Sequence, residues 1–490
     1  MQKPVLDLAN ICNEIIDSKD LELINKQINI CFEMIGSLSD NNEIGYIYYC
    51  IGNLYATLGT HEIQALNSFR LAKKYISDNR FDLYDLICQI KTNEANQLAK
   101  MGRIIEAISV YYQFITHAKP SEAKIISLMH TIDNLCELGY TIDNKDVAQY
   151  YYIKAIIFKR LLSEIENSSN INVYYKNLIN DFLIRHPLQE NKDVEDGISA
   201  LQDIGSKDLF RKSEQQYRAW CLENVLFLNH MNDLVFSYFD AEDAITFPDY
   251  QINLANDCSY KPHFAIAFAN IKREFCFARY LTYEGISNKY PKFEEKSLNL
   301  ASDHYNSDYS GKIERLKTSF RLALGTLDKL VNLLISFLKL DKKQIKKNKN
   351  RTIEFKPKFF ETHLNSYLSN NKYIKALYFV SCELSNESKF TQDNIQKNLL
   401  LGEAKHLKEL RNDLEHNWVH VLEFILDDSK CCDQDYANYI ETEQLESDTI
   451  KVLKLVRSCI IYLVFAVQLE ENNHQSDGNL ISLEIPMWSK

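Results

Sequence analysis

The chain has 490 residues, 46% of them hydrophobic and 25% charged, which is enough for two or three domains with cores of their own. Glycine (13) and proline (8) are scarce, and neither G-x-G-x-x-G nor G-x4-G-K-[S/T] occurs, which argues against hydride or phosphoryl transfer on the nucleotide-binding scaffolds. A net charge of −11 argues against nonspecific coating of nucleic acid, but not against a nuclease that touches a few phosphates.

Residues 1–15 mix Asp7, Asn10 and Glu14 with apolar positions and predict an amphipathic helix. The 12 cysteines are scattered without any C-x-x-C, and the vicinal Cys431-Cys432 has the wrong geometry for a zinc knuckle. Free cysteines suit a reducing compartment, so a cytoplasmic protein is expected. The longest apolar run, Cys459 to Val467, is about half of what a membrane span needs.

Across residues 1–165 helix pairs repeat weakly. One unit carries Tyr48, Ile51, Gly52, Tyr55, Gly59, Ala65, Phe69 and Ala72; a second carries Ala95, Leu98, Gly102, Ala107 and Tyr111. Small residues at one set of positions and aromatics at another let antiparallel helices approach closely, as in TPR repeats. The units stand about 43 residues apart against the standard 34, with one residue inserted before Ala65, so the repeat is degenerate. A generic array of α-hairpins fits the same pattern, and either arrangement offers a groove for a protein or peptide partner. Flanking helices are predicted at 21–38, 121–138 and 146–165.

The polar stretch 164–172 reads as a linker that opens a helical connecting region, 166–250, with helices at 173–184, 193–204 and 211–234. Phe247-Pro248-Asp249 breaks the pattern and marks entry to a C-terminal domain, 251–490. Helices are predicted there at about 262–285, 311–340, 369–385, 398–426 and 447–470, with one long loop at 287–310 and an extended or irregular tail at 478–490. The whole chain is expected to be all-α, a hairpin array followed by a bundle. Between Lys339 and Lys358 nine Lys or Arg stand against Asp341 and Glu354. That run is either a solvated loop or a patch that steers RNA. The 29 Tyr and 25 Phe fall at helical spacing and read as core rather than as a base-stacking platform.

The segment Arg411-Asn412-Asp413-Leu414-Glu415-His416 lies inside the stretch 398–426, whose apolar residues Leu400, Leu407, Leu410, Leu414, Trp418, Val421 and Ile425 make one helical stripe. At roughly 100° per residue, His416 falls about 200° from Leu414, away from the stripe, and Arg411 about 60° from it. Asn412, His416 and His420 form a row of their own at i, i+4, i+8. A histidine facing outward can move protons at a ribose 2′-OH, and an arginine can hold a phosphate and its developing charge without a metal. The spacing alone leaves the blander alternative open, a solvated face with an Arg411–Glu415 pair worth a few tenths of a kcal/mol.

The motif R-[N/D/H]-x3-H in the penultimate long helix of an all-α domain resembles the signature of HEPN domains, in the subgroup with TPR-like helices ahead of them. The likeness also runs through Tyr217–Asn224 with Leu226–Asn229, Ile271–Glu274 with Ala278–Leu281, Phe320–Ala323 with Leu327–Lys329, Ala376–Tyr378 and Glu409–His416. The resemblance implies a metal-independent endoribonuclease without a cofactor, paired as a homodimer or within a higher homo-oligomer, leaving a 2′,3′-cyclic phosphate on RNA. It implies Arg411 and His416 as the catalytic pair and Asn412 as the polar neighbour that orients them. Glu415 is expected to pair with Arg411, within its helix or across a dimer, and His420 to contact substrate or partner; His406 reads as polar surface. Toxin-like activity in antiviral or stress defence, regulated by the N-terminal array, completes the expectation, and a non-catalytic interaction scaffold is the competing one.

Overall fold

The computed structural model describes residues 3–76, 83–117, 121–142, 145–167, 171–188, 212–234, 241–248, 250–253, 263–293, 295, 296, 298, 307–341, 345, 353–385, 403–423, 437–473 and 480–483. It is all-α apart from two short sheets, as the periodicity predicts. The contacts divide the chain into two compact units, one of residues 1–205 with 389–402, the other of 206–388 with 403–490.

The N-terminal unit is a run of helical hairpins: α1 (Lys3–Ser18), α2 (Leu21–Ile35), α3 (Asn41–Leu58), α4 (Glu62–Tyr75), α5 (Tyr84–Lys100), α6 (Ile104–His117), α7 (Glu122–Thr141), α8 (Lys145–Glu166) and α9 (Val173–Arg185). Asp40 starts α3 by accepting the Asn42 and Glu43 backbone N–H groups. Gly59 stops it at a φ of 72°, a left-handed conformation that glycine takes without strain. The expected small-to-large packing is present. A Cβ at Gly52 would lie 2.5 Å from the Phe69 ring, so α3 and α4 meet more closely than any side chain there would allow. The two units read from sequence are thus the hairpins α3–α4 and α5–α6.

The C-terminal unit is built on α10 (Lys212–Glu223), α11 (His263–Ser287), α12 (Gly311–Phe337), α13 (Pro357–His363), α14 (Asn365–Asn370), α15 (Lys372–Glu383), α16 (Glu403–His416) and α17 (Thr442–Asn473). Long helices α11 and α12 approach closely through buried Thr282 and Ser319, whose hydroxyls lie 2.7 Å apart. Helix α17 packs its buried Val452, Val456, Ile460 and Leu463 in the same bundle. Asn371 caps α15, accepting from the Tyr373 and Ile374 N–H groups while its amide donates to Ala466 O and Glu470 Oε1 of α17.

Two buried arginines tie the segment ahead of α11 into this unit. Arg279 donates twice to Asp243 (2.7 and 2.8 Å), to the Tyr217 hydroxyl and to Leu226 O. Burial would raise the Asp243 carboxyl, yet the Arg279 guanidinium holds it below its usual range. Arg457 of α17 donates to Phe227 O, Asn229 O and Asp233 Oδ2. Beside it, burial pushes His230 down to about 3, so the imidazole stacked on Phe465 is neutral in the core. These bonds hold residues 212–234 and 241–248 to the bundle, and the contacts group them with it in one unit.

Local departures from the expected elements have identifiable causes. The helix expected over 211–234 ends at Glu223, because Val225 turns to a φ of 55°; a short 3-10 turn follows at His230–Asp233. The tail supplies a strand, β4 (Leu480–Leu483), antiparallel to β1 (Tyr250–Asn253). Of the stretch expected to be helical over 398–426, the described residues are helix over Glu403–His416 only. Beyond His416, β2 (Trp418–Leu422) pairs in parallel with β3 (Ala437–Glu441). The run Trp-Val-His-Val-Leu is β-branched and aromatic, a composition that fits a strand better than a helix. The expected helix at 193–204 lies outside the described residues, as does most of the basic run at 339–358.

Candidate functional site

Helix α16 presents its buried side, Leu407 and Leu410, to the bundle and leaves the opposite side to solvent. Arg411 is half-buried, with its Nε donating to Glu415 Oε1 at 3.1 Å and its Nη2 lying 4.0 Å from Asp328 Oδ2 of α12. His416 closes the helix with its side chain 74% exposed, and its Nε2 lies 3.8 Å from Glu415 Oε2. The two oxygens of one carboxylate are thus faced by the guanidinium on one side and the imidazole on the other. Asn412 is exposed beside Arg411. Arg411, Asn412, Glu415 and His416 therefore share one outward surface, as their spacing predicts, and the Arg411–Glu415 pair is made within the helix.

His420 does not join the row. It lies on β2, half-buried, with its ring stacked on Tyr439 of β3 at 5.5 Å. Trp418, expected in the apolar stripe, is 74% exposed on the same strand, while Val421 is buried. His406 is exposed, as read from sequence, and its Nε2 also reaches a buried carboxylate, 3.0 Å from Asp448 Oδ2 of α17. Gln444 and Lys451 also donate to Asp448. That hydrogen bond raises His406 above 6.5. Burial would raise Asp448, but its donors, His406 first, hold it below 3.8.

The inner side of Arg411 meets a charged cleft lined by Leu324, Leu327, Asp328, Glu354, Phe355, Leu384 and Lys408. Asp328 accepts the Phe355 backbone N–H at 2.7 Å, and burial raises its carboxyl above the usual range. Glu354 is held low by its bond from Lys356 at 2.6 Å, and burial lowers Lys408. The cleft has room for little more than a water molecule, so any polymer meets Arg411 and His416 at the open surface. Asp328 carries no motif of its own. Its only signal was its place in Leu327-Asp328-Lys329, one of the segments that carry the resemblance. Among the described residues no cluster of His, Cys, Asp or Glu has the geometry to hold a metal ion.

Residues 255–470 match the family model described as LA2681-like HEPN. The chain is also similar to an uncharacterized protein of Plasmodium falciparum (isolate 3D7), 22% identical over 432 residues. That alignment covers 81% of this chain and spans 24% of the relative's length. No solved structure matches. Among the described residues no helix is long and apolar enough to cross a membrane. The C-terminal domain of this chain, with Arg411-Asn412-x3-His416 on its outward helix face, belongs to the HEPN superfamily.

Proposed function

We propose that the HEPN domain is a metal-independent endoribonuclease and that Arg411 and His416 carry its chemistry. The observation that supports this most directly is their convergence on Glu415, whose two carboxylate oxygens stand in for the two non-bridging oxygens of a phosphodiester. In the proposed reaction His416 takes the proton from a ribose 2′-OH as that oxygen attacks phosphorus. The bond to the 5′-oxygen breaks, and a histidine returns a proton to the leaving group. Arg411 donates to the equatorial oxygens, whose charge grows in the transition state. The products are a 2′,3′-cyclic phosphate and a 5′-hydroxyl. Asn412 orients the pair at the same surface.

A single copy offers one histidine at an open surface, and base and acid are needed on opposite sides of the phosphorus. A homodimer that brings two such surfaces together supplies both. Toxin-like activity of this kind needs restraint in a growing cell, and the N-terminal hairpin array, with its groove for a protein or peptide, is the regulatory element in this reading. Such restraint fits antiviral or stress defence. Both steps rest on analogy of fold.

Purified full-length chain incubated with total RNA and with tRNA in EDTA tests the proposal. Cleavage with cyclic phosphate ends is expected; intact RNA with the parent, or equal cleavage by Arg411→Ala and His416→Ala, removes it. The competing reading is a non-catalytic scaffold, and one observation favours it: Arg411 is already engaged by Glu415 and faces Asp328. Intact RNA with the parent as well as with both variants selects it.

A further inference from the structure

Strand β2 begins two residues after His416 and turns its first side chain, Trp418, to solvent with 74% exposure. Side chains two apart on a strand share a face, so His420 lies on the same side as Trp418. Its register partner on β3 is Tyr439, and the two rings stack at 5.5 Å with their planes 21° apart. An indole and a stacked imidazole–phenol pair therefore form one aromatic surface along the strand. Burial grows along the strand towards the bundle, with Val421, Leu422 and Ile440 at 3%, 5% and 7% exposure, so the aromatic surface is open at its Trp418 end.

This surface is fixed to the bundle. Val421 O accepts the Asp308 N–H at 2.8 Å, and Leu422 O accepts the Thr442 hydroxyl at 3.2 Å. His416, the last residue of α16, precedes Trp418 by two residues.

We infer that Trp418, with the His420–Tyr439 stack, is a stacking platform for the bases of single-stranded RNA whose backbone reaches Arg411 and His416. The inference rests on the nuclease reading for its choice of polymer. Aromatic faces accept any base, so the platform holds the strand beside the reacting phosphate without reading sequence. A second copy is the weaker occupant. One indole whose chain neighbours His416 and Asn417 are exposed and polar offers far less than the roughly 800 Å² a side that a stable protein interface buries.

The test uses full-length chain carrying His416→Ala, so that RNA is bound and not cut. Two fluorescent oligoribonucleotides of equal length are compared, one with bases and one with abasic sites in the same backbone. Adding Trp418→Ala should weaken binding of the base-bearing strand by about 5- to 150-fold and leave the abasic strand unchanged, while Trp418→Phe stays close to the parent. Equal binding of both strands by the Trp418→Ala protein and its parent overturns the platform. Loss of both strands together with a fall in mass by sedimentation also overturns it, and assigns the face to contact between copies. Retained melting temperature in both Trp418 variants excludes misfolding as the cause. Cleavage that survives Arg411→Ala and His416→Ala defeats the nuclease reading alone, since the binding comparison needs no cleavage.

Discussion

Replacing Arg411 by alanine separates a structural ion pair from a catalytic guanidinium, because the two roles differ by orders of magnitude. The structural part is small. The side chain is 26% exposed, its bond to Glu415 is an i,i+4 helix pair, and Asp328 lies at the 4.0 Å limit of contact. Pairs of this kind contribute about 0.3–0.5 kcal/mol. Adding the packing of the stem against the cleft keeps the total below about 1 kcal/mol, a fall in Tm of about 4 °C at most for a domain of this size. The catalytic part is large, since removing one donor to a developing oxyanion lowers kcat by about 10²–10³. Calorimetry or a dye-based melt measures the first, and release of cyclic-phosphate products in EDTA measures the second. The expected outcome is a nearly native melt with cleavage lost at least 100-fold. His416→Ala, on a side chain 74% exposed, should melt as the parent and lose comparable activity. Unchanged cleavage, or a melt lowered by ten degrees or so, would refute the assignment, the latter by making Arg411 a core tether.

Glu415→Gln removes the carboxylate that Arg411 and His416 both face; a charge about 4 Å from a phosphate in water is worth ~1 kcal/mol, so RNA binding should tighten ~5-fold at low salt, measured by fluorescence anisotropy. Unchanged or weaker binding would show that phosphate does not take Glu415's place. The His406–Asp448 pair predicts a stability that depends on pH. His406 is raised in the fold, so its contribution is complete below about 6.5 and fades as pH rises through the folded value. Asp448 is lowered, so its contribution is present above about 3.8 and fades on acidification through its folded value. The Tm of the full chain should therefore fall between pH 6 and 8, and His406→Gln should flatten that slope; an identical slope in the variant would dismiss the pair as its source. In the N-terminal unit, Gly52→Ala places a methyl 2.5 Å from the Phe69 ring and should cost about 1–3 kcal/mol by chemical denaturation, against no penalty if α3 and α4 were loosely packed.

Apolar spacing by itself determined the helical class, the hairpins α3–α4 and α5–α6, and the outward direction of Arg411 and His416, because each depends on neighbours within a few residues. The same spacing misread the residues after His416. Trp418 and Val421 continue a helical stripe at i, i+4, i+7 from Leu414, but Val419 and Val421 also alternate as a strand does. Only pairing with Ala437–Glu441, distant in sequence, decides between the two, and that pairing moves His420 off the His416 row and exposes Trp418. Likewise nothing local told that His406 meets the buried carboxylate of Asp448, or that Asp328 faces Arg411. Residues 212–234 and 241–248 fall within the connecting region read from sequence because their tie to the bundle is made by Arg279 and Arg457, side chains that arrive from distant helices. A long-range contact is set by how helices pack, and packing is a property of the assembled bundle that no single window of sequence contains.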